Sequence, residues 1–353
     1  MRYIVLIVSI SLLVILVGLV VAAEIILYLT SNGHANLDFV IKDSKKSDSE
    51  KLRDELRKQD WAWLQQQNTK EYFIESADGF KLRALYLPAP KNAKTAPAGE
   101  LLSGTGDNDG SMFSSGVGDN DGSKFSSGVG DNGTSDKMAF CIHGIQSNGT
   151  REFVTAARYF YEHGISSFII DQRACGKSEG KYVTYGLKEA EDCKSWLDFV
   201  AKEFGSDMRV FIYGMSMGSS ITVLLGGEQL PLNVEYLVAD CGYSSVKKQM
   251  YNTFASLKFP AGLFYFLYRS ACLCHRIYDP NKVYITQAAS RCTLPILFIH
   301  GDADAVVPVE NINELYNACG SKDKKLLVTK GVGHVQSFTT SMEIREAIIE
   351  RIQ

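Results

Sequence analysis

Ser216 stands at the centre of Gly214-Met215-Ser216-Met217-Gly218, a G-x-S-x-G spacing. A serine hydroxyl is a weak nucleophile. It becomes useful when it is held exposed on a rigid turn beside a base that takes its proton. A sharp strand-to-helix turn supplies the rigidity, and flanking glycines let the two backbones approach where a Cβ would clash. The helix that follows points its N-terminal dipole at developing negative charge. The base must come from elsewhere, and six histidines make the search short. His334 closes the run Gly331-Val332-Gly333-His334. The carboxylate candidates to orient it are Asp302 and Asp304, in His300-Gly301-Asp302-Ala303-Asp304-Ala305-Val306-Val307-Pro308, with Asp240 as a rival. Asp302 also reads as a turn cap. His143 reads as structural, and His34, His163, His275 and His300 have no comparable setting.

The elements that must position these groups follow from apolar patterning. Arg209 to Tyr213 is a β-branched and aromatic run leading into the turn, and Ser219 to Leu225 opens a helix. Upstream lie a hairpin over Glu71 to Pro88, turning at Asp78-Gly79, and a buried strand Met138 to Ile142. A helix Thr150 to Tyr161, a strand Ser166 to Ile170 and a helix Leu187 to Phe204 come next. Downstream are strands at Tyr236 to Val238, Pro295 to Ile299 and Leu326 to Val328. Helices at Glu310 to Ala318 and Met342 to Ile352 complete the pattern. Strands alternating with helices imply a parallel sheet covered on both faces, with chemistry at the carboxyl ends of the strands.

Appendages surround this core. Ile4 to Ala23 is uncharged and long enough to span a bilayer, and Ile25 to Leu29 extends it. Residues 1–30 are therefore expected to be a membrane anchor, with 4–29 in or near the bilayer. Val21-Ala22-Ala23 offers the small residues of a cleaved signal peptide, but the apolar core is longer than such a signal needs. Arg2 precedes the segment, whereas Lys42, Lys45 and Lys46 follow it, so charge codes orientation poorly; an outward-facing domain is expected. Residues 31–68 read as a charged helical stalk, with Leu52, Leu56 and Trp63 on its apolar stripe. The catalytic domain is expected over 69–353. Within it, 90–137 holds a tandem repeat. The unit Gly106 to Val117 recurs from Gly118 to Val129 and starts again at Gly130, too polar to bury a core and expected to be a flexible insertion. Over 243–293 the chain reads as helical and strongly apolar, and Met250, Phe254 and Phe259 are candidates for packing on the domain.

Composition narrows the classes. With 353 residues, 45% hydrophobic, the chain accommodates one large α/β domain. A net charge of -3 gives no electrostatic case for nucleic acid. The eight cysteines form no spaced framework for disulfides. Cys272-Leu273-Cys274-His275 lacks a second ligand pair at zinc spacing, so neither a metal nor a cofactor is expected. Asp171 and Arg173 read as a structural ion pair.

From about Tyr72 to the end the chain resembles the α/β-hydrolase superfamily. It is most similar to membrane-anchored bacterial serine aminopeptidase-like and cephalosporin-deacetylase-like members. The resemblance is carried by His143-Gly144, Asp171-Gln172-Arg173-Ala174-Cys175-Gly176-Lys177-Ser178, the Ser216 turn, the His300 to Pro308 run, and the chain order serine, acid, histidine. It implies an α/β-hydrolase fold with a mostly parallel sheet and a small helical lid over 243–293, where Met250, Phe254 and Phe259 would line an acyl or otherwise apolar pocket. It also implies a triad of Ser216, Asp304 and His334, with Asp304 preferred because the acid falls four positions after the motif histidine. The oxyanion hole would use the N–H groups of Met217 and Ile145. The implied activity is hydrolysis of an ester, thioester or small amide in a small or lipid-like acyl substrate. The alternatives are an aminopeptidase-type serine peptidase, or a non-catalytic membrane-bound scaffold.

Overall fold

The structure, a computed structural model, describes residues 2–32, 47–91, 133–258 and 260–352. The tandem repeat, the start of the stalk and Phe259 lie outside the described residues. Eight strands form one sheet in the order β1-β2-β4-β3-β5-β6-β7-β8. They are β1 (Lys70–Glu75), β2 (Lys81–Leu87), β3 (Lys137–Ile142), β4 (Ser166–Asp171), β5 (Arg209–Met215), β6 (Val234–Asp240), β7 (Ile296–Gly301) and β8 (Lys324–Thr329). Only β1 with β2 and β2 with β4 pair antiparallel; all other pairs are parallel. This is an α/β-hydrolase arrangement.

The central strands are apolar throughout because both faces are covered. Successive residues serve opposite layers. Phe140, Ile142, Val210 and Ile212 join one core, while Ala139, Cys141, Phe211 and Tyr213 join the other. The second layer includes helix α3 (Gly149–Glu162), which buries Phe153, Ala157 and Phe160. The first includes helix α4 (Leu187–Phe204), which buries Trp196 and Leu197.

One ion pair differs from the expected one. Asp171 pairs with Arg83 at 3.2 Å, while Arg173 pairs with Asp192 at 2.7 Å and Asp78 at 2.9 Å. The β2–β4 register sets Arg83 directly opposite Asp171. The side chain across the ladder therefore reaches Asp171, and Arg173, beyond the strand end, turns to other carboxylates.

Helix α1 (Arg2–Ser31) is a single 30-residue helix. Val14–Ser31 has a mean hydropathy of 2.4, long and apolar enough to cross a bilayer. The large apolar side chains of Val14 to Val21 are exposed. Beyond them one face, made by Ala23, Ile26, Leu27, Thr30 and Ser31, is buried in the domain along helix α7 (Ala261–Cys274). The last carbonyls of a helix lack intrahelical donors; here the domain supplies them. Gln146 Nε2 donates to Leu29 O at 2.9 Å, Tyr185 Oη to Thr30 O at 2.6 Å and the Val183 amide to Ser31 O at 2.8 Å. Residues 23–30, read from sequence as the end of an anchor, and Ser31, read as the start of the stalk, thus pack on the domain, because the i, i+3, i+4 spacing of the buried positions presents one packing face.

Helix α2 (Asp48–Leu64) opens with a capping box at Ser47 and Glu50 and packs on α3, burying Leu56 and Leu64. Trp63 stacks edge-on against Tyr161 at 5.4 Å.

Candidate active site

Strand β5 ends at Met215, and helix α5 (Met217–Gly226) begins one residue after Ser216. Ser216 carries the turn with φ 55° and ψ -119°. For a non-glycine residue this backbone costs on the order of 1–3 kcal/mol and persists only where its surroundings enforce it. The Ser216 amide donates to Asp240 O at 2.8 Å, which ties the turn to the end of β6. Close packing does the rest. A Cβ at Gly214 would overlap Gly218 O, and one at Gly218 would overlap Ile142 O.

Ser216 Oγ lies 2.8 Å from His334 Nε2, and His334 Nδ1 lies 2.6 Å from Asp304 Oδ2. The Asp304 side chain is buried, and its Oδ1 accepts from the amides of Val306 and Val307, both at 2.8 Å. Burial pushes its carboxyl up. Hydrogen bonds from His300 and His334 outweigh that and hold it well below the usual carboxylate range. An ionised Asp304 needs a proton on His334 Nδ1. That leaves Nε2 free to accept from the Ser216 hydroxyl.

The histidine loop is braced from afar. Val335 is β-branched yet has φ 57°. Arg53 Nη1 of α2 donates to His334 O at 3.3 Å, and Ser49 Oγ donates to Gln336 Oε1. Asp302 accepts from the Gly331 amide at 2.5 Å, which makes it a turn cap on the same loop. Sequence reading missed the α2 contacts, since nothing local links residues this far apart. It also missed His300, whose Nε2 donates to Val307 O at 2.8 Å and lies 3.3 Å from Asp304 Oδ2.

Among the other candidates, Asp240 accepts from Tyr213 Oη at 3.1 Å, whereas His334 Nδ1 is engaged by Asp304. Both His143 nitrogens are engaged. Nε2 accepts from the Gln172 amide at 3.0 Å, so Nδ1 carries the proton and donates to Gly144 O at 2.6 Å. His163 Nδ1 donates to Tyr159 O and His275 meets Glu24, while His34 lies outside the described residues. A Cβ built on Gly144 would lie 3.0 Å from Ser216 Cβ, so the backbone leading to Ile145 passes against the serine. Met217 is the first helical residue of α5, where N–H groups have no intrahelical acceptor. Met250 and Phe254, on helix α6 (Val246–Ser256), are buried in the main core, and Phe254 stacks on Phe264 at 5.8 Å. Beside them Gln249 Nε2 donates to Val306 O at 3.0 Å, bracing the acid loop.

Cys241 Sγ, Asp304 and His334 bring three possible metal-ligand atoms within 4.8 Å of one another. Two are already joined by a hydrogen bond, and burial pushes the Cys241 thiol well up, away from the thiolate a metal needs. These atoms fit a proton relay better than a metal centre.

The family model described as "Serine aminopeptidase, S33" matches residues 133–268 and 282–338, segments that hold Ser216, Asp304 and His334. The chain is 24% identical over 216 residues to the uncharacterized protein YqkD of Bacillus subtilis, covering 58% of this chain and 67% of that protein. It is 28% identical over 176 residues to an uncharacterized membrane protein of Saccharomyces cerevisiae, covering 49% of this chain and 56% of that one. In fold it is similar to an esterase of Pyrococcus furiosus, with a TM-score of 0.55 and 20% identity over 80% of this chain and 92% of the esterase.

Proposed function

Because the chain belongs to the serine aminopeptidase family of α/β-hydrolases, we propose that it is a serine hydrolase cleaving an ester, thioester or small amide through an acyl-enzyme on Ser216. The observation that carries this reading is the unbroken chain of contacts from Ser216 Oγ through His334 to Asp304, at 2.8 and 2.6 Å. His334 Nε2 takes the hydroxyl proton as Oγ attacks the acyl carbon, then gives it to the departing alcohol, thiol or amine. Water repeats the sequence on the acyl-enzyme and releases the acid. Asp304 holds the imidazole in its productive tautomer and stabilises its charged form. The amides of Met217 and Ile145 receive the oxyanion.

A non-catalytic scaffold has no need of a buried, fully hydrogen-bonded acid behind the histidine. Aminopeptidase-type cleavage is the second reading, favoured by the family's description. Acyl esters of graded length tested beside aminoacyl amides separate the two: ester turnover that depends on Ser216 supports the first, and turnover confined to amides bearing a free α-amino group supports the second. The uncharged part of α1 is proposed to hold the protein in a membrane, as the name of the yeast relative suggests; an outward-facing domain is proposed because a large trailing domain translocates largely regardless of its flanking charges.

A further inference from the structure

The end of the apolar helix is built into the rim of the candidate site. Leu29 O accepts from Gln146 Nε2 at 2.9 Å, and Gln146 directly follows Ile145, the proposed oxyanion donor. Two contacts fix how α1 lies on the domain. Glu24 Oε1 meets His275 Nε2 at 2.8 Å, and Ser31 Oγ meets Tyr268 Oη at 3.3 Å. Moving up α1 from Glu24 to Ser31 thus means moving back along the α7 segment from His275 to Tyr268. The two helices run side by side in opposite directions.

Glu24 is the first charged residue after the uncharged run and marks the water-facing end of a span. Leu29 lies five residues further, about 8 Å along the helix axis. That distance is on the order of the headgroup layer of one leaflet. On the same helix pair Ile25, Tyr28, Phe266 and Leu273 remain exposed, so apolar surface continues above the level of Glu24. Because the last turn of α1 is bonded to the domain through three carbonyls, the domain cannot swing freely on its anchor.

We infer that the substrate is a long-chain amphiphile resident in the bilayer, whose ester lies at headgroup depth and reaches Ser216 without the chain leaving the membrane. This rests on the hydrolase and anchor readings above. Each methylene drawn from hydrocarbon into water lowers the available population about fourfold. A site held at headgroup depth spares a long-chain ester that loss and makes no difference to a short soluble one.

The test uses the full chain in phosphatidylcholine vesicles carrying a fluorogenic long-chain acyl ester, with p-nitrophenyl acetate as the soluble ester. A rigid three-turn helical insert between Ala22 and Ala23 lifts the domain by about 16 Å and leaves its contacts with residues 23–31 in place. The lifted variant should keep its rate on the acetate and lose at least about tenfold on the vesicle ester, given the cost per methylene. Equal retention of both activities overturns the inference. Failure of the intact chain to remain with vesicles overturns the anchor reading, and a wild type that hydrolyses neither ester overturns the hydrolase reading. If the lifted variant loses the acetate activity too, a chain beginning at Ala23 takes its place. It should keep the acetate rate and lose the vesicle ester, and parity with the wild type on the vesicle ester overturns the inference.

Discussion

His300 and Asp304, four residues apart in sequence, meet at 3.3 Å, and the carboxylate oxygen between them is the one that His334 holds at 2.6 Å. His300 spends its Nε2 proton mainly on Val307 O at 2.8 Å. It therefore buttresses the acid loop and leaves the short bond to His334. Two backbone amides fix the other oxygen of Asp304. Both oxygens of Asp304 are thus engaged, Oδ1 by the two backbone amides and Oδ2 by His334.

Asp304→Asn should lower turnover by roughly three to four orders of magnitude, because an amide cannot hold the His334 tautomer. Asp302→Asn keeps an oxygen that can still cap the Gly331 amide and should cost far less. Steady-state rates of the two purified variants decide this; equal losses, or the reverse order, contradict the assignment of the acid.

Asp240 gives a prediction about pH. Burial pushes its carboxyl up to about 6, against about 3.9 in an unfolded chain. Between those values the folded protein binds more protons than the unfolded one, so stability falls as pH rises from about 4 to 6, and the penalty is complete above that range. Asp240→Asn removes the penalty. Its gain in melting temperature over the wild type should be larger at pH 7.5 than at pH 4.5. A gain confined to low pH would mean that the carboxylate is favoured in the folded state.

Much of the site was legible because its parts are local. The apolar strand before Ser216, the paired glycines and the helix after it force one turn, and Asp304 and His334 follow in chain order. What escaped depends on contacts between distant segments. Arg53 reaches His334 O across 281 residues, and no pattern near either residue announces it. Arg83 displaces Arg173 as the partner of Asp171 because of strand register, which the hairpin sequence leaves unstated. The end of α1 was read as anchor because apolar composition alone does not separate a face turned to lipid from one turned to a protein core. Ala23, Ile26 and Leu27 are buried against the domain.

That correction has a measurable consequence. A chain beginning at Ala23 should fold stably, whereas one beginning at Asn32 loses the buried Ile26 and Leu27 side chains and should be destabilised by roughly 3–6 kcal/mol. Urea unfolding of the two truncated chains measures the difference. Equal midpoints would mean that residues 23–31 contribute nothing to the domain.

The insertion is closed at its base. Pro90 pairs with Thr134, the Lys91 amide donates to Gly133 O at 2.5 Å, and the Ser135 amide donates to Ala89 O at 2.9 Å. Replacing residues 92–132 with a two-residue Asn-Gly turn should shift the melting temperature by no more than a few degrees, because closure entropy depends only weakly on loop length. Ester turnover should be unchanged. Loss of folding would show that the domain depends on contacts made by the deleted segment.

The role of Ser216 is tested most directly by stoichiometric fluorophosphonate labelling of the purified protein, read by intact mass and peptide mapping. One adduct per chain is expected, on the peptide carrying Ser216. It should be absent in Ser216→Ala and slowed by orders of magnitude in His334→Ala, whose base no longer takes the hydroxyl proton. A folded wild type that takes up no label, or takes it up on another residue, contradicts Ser216 as the nucleophile.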